Sequence, residues 1–166
     1  MAVGTVHDQN VDSVNFDAEV LGKLLGVLAT GAPGTIDKGA DAIHDWAAAH
    51  GVPTVSEDSS GLSYANRITA LGLVQLLQVG DDASWGSVLR STLPTPGEGT
   101  LEHRLHGISV QAKTGTLDDI SALSGWVDLT RTGHAAEFSI LSSGFDVSDA
   151  KDIEDEIVTT LAKFGR

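Results

Sequence analysis

Apolar residues fall at helical spacing through the first two-thirds of the chain and alternate with polar ones soon after. Phe16, Val20, Leu21, Leu24, Leu25 and Leu28 recur every three to four positions, which predicts an amphipathic helix. The polar run Asp12-Ser13-Val14-Asn15 supplies candidate caps before it, and Gly31-Ala32-Pro33-Gly34 ends it. A second helix is predicted around Ala40, Ile43, Trp46 and Ala47, stopping at Gly51. Pro53-Thr54-Val55 reads as a short extended piece and Asp58-Ser59-Ser60-Gly61-Leu62-Ser63 as a loop. Ile68, Leu71, Val74 and Leu77 mark a third helix, and Trp85, Val88 and Leu89 a short fourth one. Residues 94–99 form a Pro/Gly-rich loop.

The texture then changes. Ile108, Val110 and Ala112 alternate with Ser109, Gln111 and Lys113, the pattern of a half-buried strand. Residues 120–129 predict a second strand, Thr130-Arg131-Thr132-Gly133 a turn, and 134–142 a third strand antiparallel to the second. A closing helix carries Ile153, Ile157, Leu161 and Phe164, with Asp146 or Ser148 as its cap. Helices, then an antiparallel meander, then a terminal helix is an α+β order. The expectation is a single domain over 1–166, mainly helical over 1–106. Over 107–166 a three-stranded antiparallel sheet is covered on one face by the last helix.

Composition narrows the function classes. The chain of 166 residues suits one compact domain. It has no cysteine, so no disulfide framework or thiolate metal site is available. The net charge of −13 repels phosphate, which weighs against nucleic-acid partners and anionic membranes. No apolar run reaches membrane-spanning length, and the first residues lack the basic-then-apolar order of a signal peptide.

The chemistry concentrates at Lys113-Thr114-Gly115-Thr116, at the end of the first predicted strand. Lysine offers a fixed positive charge for a carboxylate and threonine a hydroxyl donor. Glycine lets a ligand backbone lie close to the strand. The following amide N–H can face a developing oxyanion. Lys-Thr-Gly in this setting recurs in penicillin-binding proteins and class A β-lactamases. The plain alternative is a strand ending in a Thr-Gly turn with a solvated lysine.

Longer runs favour the first reading. Val110-Gln111-Ala112-Lys113-Thr114-Gly115-Thr116-Leu117, followed by Ile120-Ser121-Ala122-Leu123-Ser124-Gly125-Trp126-Val127, resembles the serine D-alanyl-D-alanine carboxypeptidases of the DacB-type penicillin-binding class. Asp58-Ser59-Ser60-Gly61-Leu62-Ser63 with Asn66-Arg67 is similar to that group's Asp-Gly-Ser-Gly-Leu-Ser…Asn-Arg segment, with Ser59 in place of glycine. Gly97-Glu98-Gly99-Thr100-Leu101 with Arg104 resembles its Gly-x-Asp-Gly-Thr-Leu…Arg stretch, with Glu98 in place of aspartate. Ser13-Val14-Asn15-Phe16 with Ala18-Glu19 and Leu21 resembles its Ser-Asp-Asn motif, with Val14 in place of aspartate. The alternative at that position is a helix cap.

The resemblance implies the C-terminal part of a penicillin-binding/β-lactamase-like transpeptidase fold. It also implies catalytic roles. Ser13 would relay a proton to the leaving group and Asn15 would hold the substrate amide. Lys113, Thr114 and Gly115 would meet the substrate's terminal carboxylate and backbone. Thr116 N–H would be an oxyanion donor. The implied partner is a peptidoglycan stem peptide ending in D-Ala-D-Ala, in the cell envelope or outside the cell. No metal or organic cofactor is implied.

The family's nucleophile, the serine of a Ser-x-x-Lys motif ahead of Ser-x-Asn, has no counterpart among the twelve residues before Ser13. Ser148-Asp149-Ala150-Lys151 has the spacing but lies after Lys-Thr-Gly, and Ser148 reads better as a cap. The chain is therefore expected to be a C-terminal portion that is inactive alone, with β-lactams engaged only if the nucleophile-bearing half is present. A different reading is a non-catalytic module that keeps the edge for binding wall peptides or a partner protein. A sheet separated from its other half also predicts self-association through exposed apolar surface. His103 and His106 sit three apart as metal-ligand candidates, although surface histidines explain them better. Asp81-Asp82 and Asp118-Asp119 read as solvated turns rather than catalytic pairs. Trp46, Trp85 and Trp126 fall in apolar patterns and read as core.

Overall fold

A computed structural model describes residues 2–164, and the elements follow the predicted order with one addition at the front. Helix α1 (Ala2–Asp12) occupies residues with little apolar periodicity. Short helices owe their stability to packing more than to propensity, and two tertiary contacts hold this one. Asn10 Nδ2 donates to Thr92 Oγ1 at 3.0 Å, and the Val11 carbonyl rests against Gly99. Then come α2 (Asn15–Thr30), α3 (Ile36–Ala49), α4 (Ala70–Asp82) and α5 (Gly86–Ser91). A 3-10 turn at Gly99–Leu101 precedes strands β1 (Val110–Leu117), β2 (Ile120–Asp128) and β3 (Ala135–Ser143), and α6 (Val147–Lys163) closes the chain. The chain divides into two compact units, Val14–Leu76 and Met1–Ser13 with Leu77–Arg166, so the division falls inside α4.

In the unit Val14–Leu76, α2 and α3 meet through glycines. A Cβ on Gly39 would lie 2.6 Å from the Gly22 carbonyl oxygen, so only small residues permit this approach. The Thr35 hydroxyl caps α3 by accepting from Lys38 N at 3.2 Å. Neither Ser13 nor Asn15 caps α2: its N-cap is Val14, which makes no side-chain bond. The 58–67 loop is wound around one carboxylate. Asp58 accepts from Gly61 N at 2.8 Å, Ser63 N at 2.6 Å and Asn66 Nδ2 at 2.9 Å. Glu19 Oε1 reaches over from α2 to accept from Ser59 N at 3.0 Å and Ser60 N at 2.8 Å. The Ser59 side chain lies where a Cβ on Gly22 would stand, so the departure from glycine at 59 is accommodated by glycine at 22. Val55 pairs with Arg67, which makes the predicted extended piece a single β-bridge.

In the other unit the strands form an antiparallel sheet of order β1-β2-β3, with β1 turning into β2 at Asp118-Asp119. On one face Val110, Ala112, Leu123, Val127 and Phe138 pack with Leu101 and Leu105 and with Val158 and Ala162 of α6. The last helix covers the sheet as expected, but not with the expected residues. It buries Ala150, Glu154, Val158 and Ala162, while Ile153, Ile157 and Phe164 are 53%, 45% and 69% exposed. Glu154 disguises the buried stripe as polar. It is buried because Arg104 binds it at 2.9 Å and Asp155 at 2.7 Å. Asp146, not Ser148, caps α6, accepting from Ser148 N and Asp149 N. Trp126 is fully buried as expected. Trp46 and Trp85 are not core: they are 42% and 45% exposed, and Trp46 packs on the His50 ring.

Candidate active site

Strand alternation aims Lys113. Val110 and Ala112 are drawn into the core, so Gln111, Lys113 and Gly115 project from the opposite face of the sheet. The same alternation sorts the backbone. Ala112 N donates to the Pro94 carbonyl at 3.2 Å, on the side of β1 away from β2. The N–H groups of Thr114 and Thr116 point to that same outer edge. Pro94 meets the edge at Ala112, and beyond it the Thr114 carbonyl accepts from Lys113 Nζ at 2.8 Å. Gly115 faces Ala122 across the ladder, where an added Cβ would lie 3.3 Å from that methyl group.

Ser13 arrives from the end of α1. Its φ is 55°, in the left-handed region that residues other than glycine seldom adopt. Surrounding contacts must enforce such a backbone, and the anchors of α1 do so. Asn10 is tied to Thr92. Gly99 admits the preceding turn, since a Cβ there would stand 2.1 Å from the Val11 carbonyl oxygen. Lys113 Nζ donates to Ser13 Oγ at 2.8 Å and to the Thr114 carbonyl at 2.8 Å. Burial pushes the Lys113 ammonium down from 10.5 to about 8. The result is a desolvated cation on a half-buried serine hydroxyl, beside the outer edge of β1.

Thr116 is exposed on that edge, and Thr114 and Gly115 are half-buried. The structure therefore brings Ser13 and Lys113 together, one hundred residues apart in sequence. Asn15 is the exposed first residue of α2 and belongs to the other compact unit.

The model of the D-Ala-D-Ala carboxypeptidase 3 (S13) family matches residues 5–164. The chain belongs to this family. It is 37% identical over 165 aligned residues to the D-alanyl-D-alanine carboxypeptidase of Actinomadura sp. (strain R39), an alignment that takes in 92% of this chain and 30% of that protein. Penicillin binding protein 4 of Haemophilus influenzae, solved with a β-lactam, matches with a TM-score of 0.80 at 20% identity, over 93% of this chain and 40% of that one. A class A β-lactamase of Bacteroides cellulosilyticus matches with a TM-score of 0.68 at 17% identity, over 97% and 61% of the two chains. The fold is thus that of the C-terminal portion of the penicillin-binding and β-lactamase-like proteins. The chain spans under a third of the curated relative it matches.

Family membership gives the other signature segments a physical reading, and most of them build rather than react. Asp58 and Glu19 shape the 58–67 loop. Glu98 closes its own loop by accepting from Thr95 N at 3.1 Å and Thr95 Oγ1 at 2.8 Å. That hydroxyl bond is the main reason its carboxyl lies below the usual range. Gly99 seats the end of α1, and Arg104 ties the segment to α6. The weaker candidates resolve individually. His103 and His106 lie exposed in turns, not on a helix face. Among the described residues no cluster of three or more His, Asp or Glu side chains is arranged to hold a metal ion. Asp81 is not in a turn. It lies in the last turn of α4, accepts from Trp126 Nε1 at 3.0 Å, and raises the Glu137 carboxyl through a hydrogen bond between the two acids. Two contributors to the site went unread in the sequence: helix α1 and the Pro94 carbonyl. Gly99 was the visible trace of the first, because a glycine between Glu98 and Thr100 signals close backbone approach.

Proposed function

We propose that this chain supplies the peptide-binding half of a serine-type D-alanyl-D-alanine carboxypeptidase site. The observation that carries the reading is the Lys113 ammonium, desolvated at the outer edge of β1 and bonded to Ser13. A stem peptide adds to the edge as a further strand, using the N–H groups beyond Ala112. Its terminal carboxylate meets Lys113 Nζ and the Thr114 hydroxyl. Gly115 leaves room for its backbone, and Thr116 N–H donates to the carbonyl oxygen as negative charge develops there. Ser13 passes a proton toward the leaving group. The attacking serine comes from a Ser-x-x-Lys segment that these 166 residues do not contain ahead of Ser13. The chain alone therefore binds without turning over. Its place is the cell envelope, where such peptides occur. Among the described residues no helix is long and apolar enough to cross a membrane.

The test is calorimetric titration of the chain with an acyl-D-Ala-D-Ala peptide. Saturable binding that is abolished by Lys113→Ala, with no D-alanine released, is the expected result. Absence of binding sinks the carboxylate site, and steady D-alanine release sinks the claim that the chain lacks turnover.

The exposed apolar stripe of α6 also favours self-association. Ile153, Ile157, Leu161 and Phe164 line a shallow groove on that helix, a surface of the kind that seeks a partner.

A further inference from the structure

Asn10 and Thr92 take no part in the proposed reaction, yet they sit where they govern its geometry. The segment Thr92-Leu93-Pro94 is buried throughout. The Thr92 hydroxyl donates to the Leu89 carbonyl at 2.7 Å, which spends its hydrogen and leaves its oxygen as an acceptor. Asn10 Nδ2, on α1, donates to that oxygen at 3.0 Å. Two residues further on, the Pro94 carbonyl accepts from Ala112 N of β1 at 3.2 Å. One short buried segment therefore grips α1 on one side and β1 on the other. Asn10 lies three residues before the end of its helical turn at Ser13, and Ala112 is the neighbour of Lys113.

We propose that Asn10 and Thr92 are positioning residues: their hydrogen bond braces the end of α1 against the first strand and so holds the Lys113 side chain out of water, where the peptide carboxylate is to meet it. The inference rests on the carboxylate-binding reading of Lys113 and adds the device that keeps that side chain poised.

Two observations on α1 carry the brace. From residue 4 to residue 12 the helix has no fully buried residue, so apolar packing alone does not fix it. Its other anchor is steric: the Val11 carbonyl rests on Gly99, which limits how far α1 moves inward but does not stop it swinging away. The Asn10–Thr92 bond is directional and ends on a hydroxyl that is 2% exposed, so it supplies the missing tie. Burial by itself brings Lys113 down from 10.5 to about 8, so its titration reports how well water is kept out. The charged groups of neighbouring elements are engaged elsewhere. Arg90 of α5 is bonded to Gln111 and Asp128, and Asp81 of α4 to Trp126 and Glu137. Asp12 of α1 is exposed to solvent.

The experiment is an NMR titration of the full chain carrying isotope-labelled lysine, from about pH 6.5 to 11 with no peptide present. The Lys113 signal is assigned by its loss in Lys113→Arg. The wild-type midpoint is expected near 8. Asn10→Ala preserves helix propensity and Thr92→Val preserves side-chain shape, and each breaks the tie. Each should raise the midpoint by about one unit or more as water reaches the amine. Thr92→Ser keeps the hydroxyl and should restore the wild-type value. The double variant should titrate like either single one, because both remove the same bond. A merely structural role would lower the melting temperature and leave the midpoint of the folded chain where it was. That result overturns the brace, as does a wild-type midpoint near 10.5 or a Thr92→Ser midpoint shifted as far as that of Thr92→Val. Peptide titration over the same pH range separates the two readings. The fall in affinity should lie near pH 8 in the wild type and move upward with the midpoint in the variants. A moved midpoint with no peptide bound to any chain removes the carboxylate reading alone, and bound peptide with an unmoved midpoint removes the brace alone.

Discussion

Lys113 sits in surroundings that a lysine does not ordinarily take. A lysine on an edge strand ordinarily extends into water, and here it is folded over a serine and a carbonyl oxygen with its charge disfavoured by burial. The lowered value has two consequences of opposite sign. Unfolded, the side chain holds its proton up to about 10.5, and folded only to about 8. Between those values the unfolded chain binds more protons, so stability rises with pH, and the burial penalty is felt in full below 8. Carboxylate binding needs the ammonium, so peptide affinity should fall as pH rises through about 8. Titrations from pH 6.5 to 9.5 with parallel urea melts should show the two curves diverging. A pH-independent affinity would mean that Lys113 does not carry the carboxylate.

At the scale of elements, the segment from Glu98 to Arg104 ties three parts of its unit together. Glu98 fixes the loop, Gly99 seats α1, Leu101 enters the core, and Arg104 grips Glu154 and Asp155 on α6. Arg104 is 12% exposed and Glu154 1% exposed, so this ion pair is shielded from screening. Removing the guanidinium strands a buried carboxylate. Arg104→Ala should therefore cost about 3–5 kcal/mol in urea denaturation, the usual penalty for half of a buried pair. A second change, Glu154→Met, should recover much of the loss by removing the orphaned charge. A loss under about 1 kcal/mol would place the pair among weak surface bridges instead.

For the whole molecule, the notable feature is apolar surface turned outward. Phe16, Leu24 and Leu28 of α2 and Ile153, Ile157 and Phe164 of α6 are exposed, although each set repeats at core-like spacing. Each stripe belongs to its own compact unit, and each lies beside the face that its helix actually buries. Light scattering over a concentration series should show self-association, and Ile157→Lys should weaken it without lowering the melting temperature. A monomer at every concentration would count against this use of the surface.

The sequence by itself determined the α+β order, the three strands to within a residue or two at their ends, and the family. Alternation around Val110 and Ala112 reports burial on one face directly, and Lys-Thr-Gly with its flanking runs is specific enough to name its relatives. Helix α1 escaped because its stability is borrowed from Thr92 and Gly99, contacts that leave no periodic trace. The buried side of α6 escaped because a paired Glu154 reads as solvent-facing until Arg104 is placed beside it. Only the tertiary structure decided that Ser13 meets Lys113, for a contact spanning one hundred residues is set by where the chain folds back and not by any local preference.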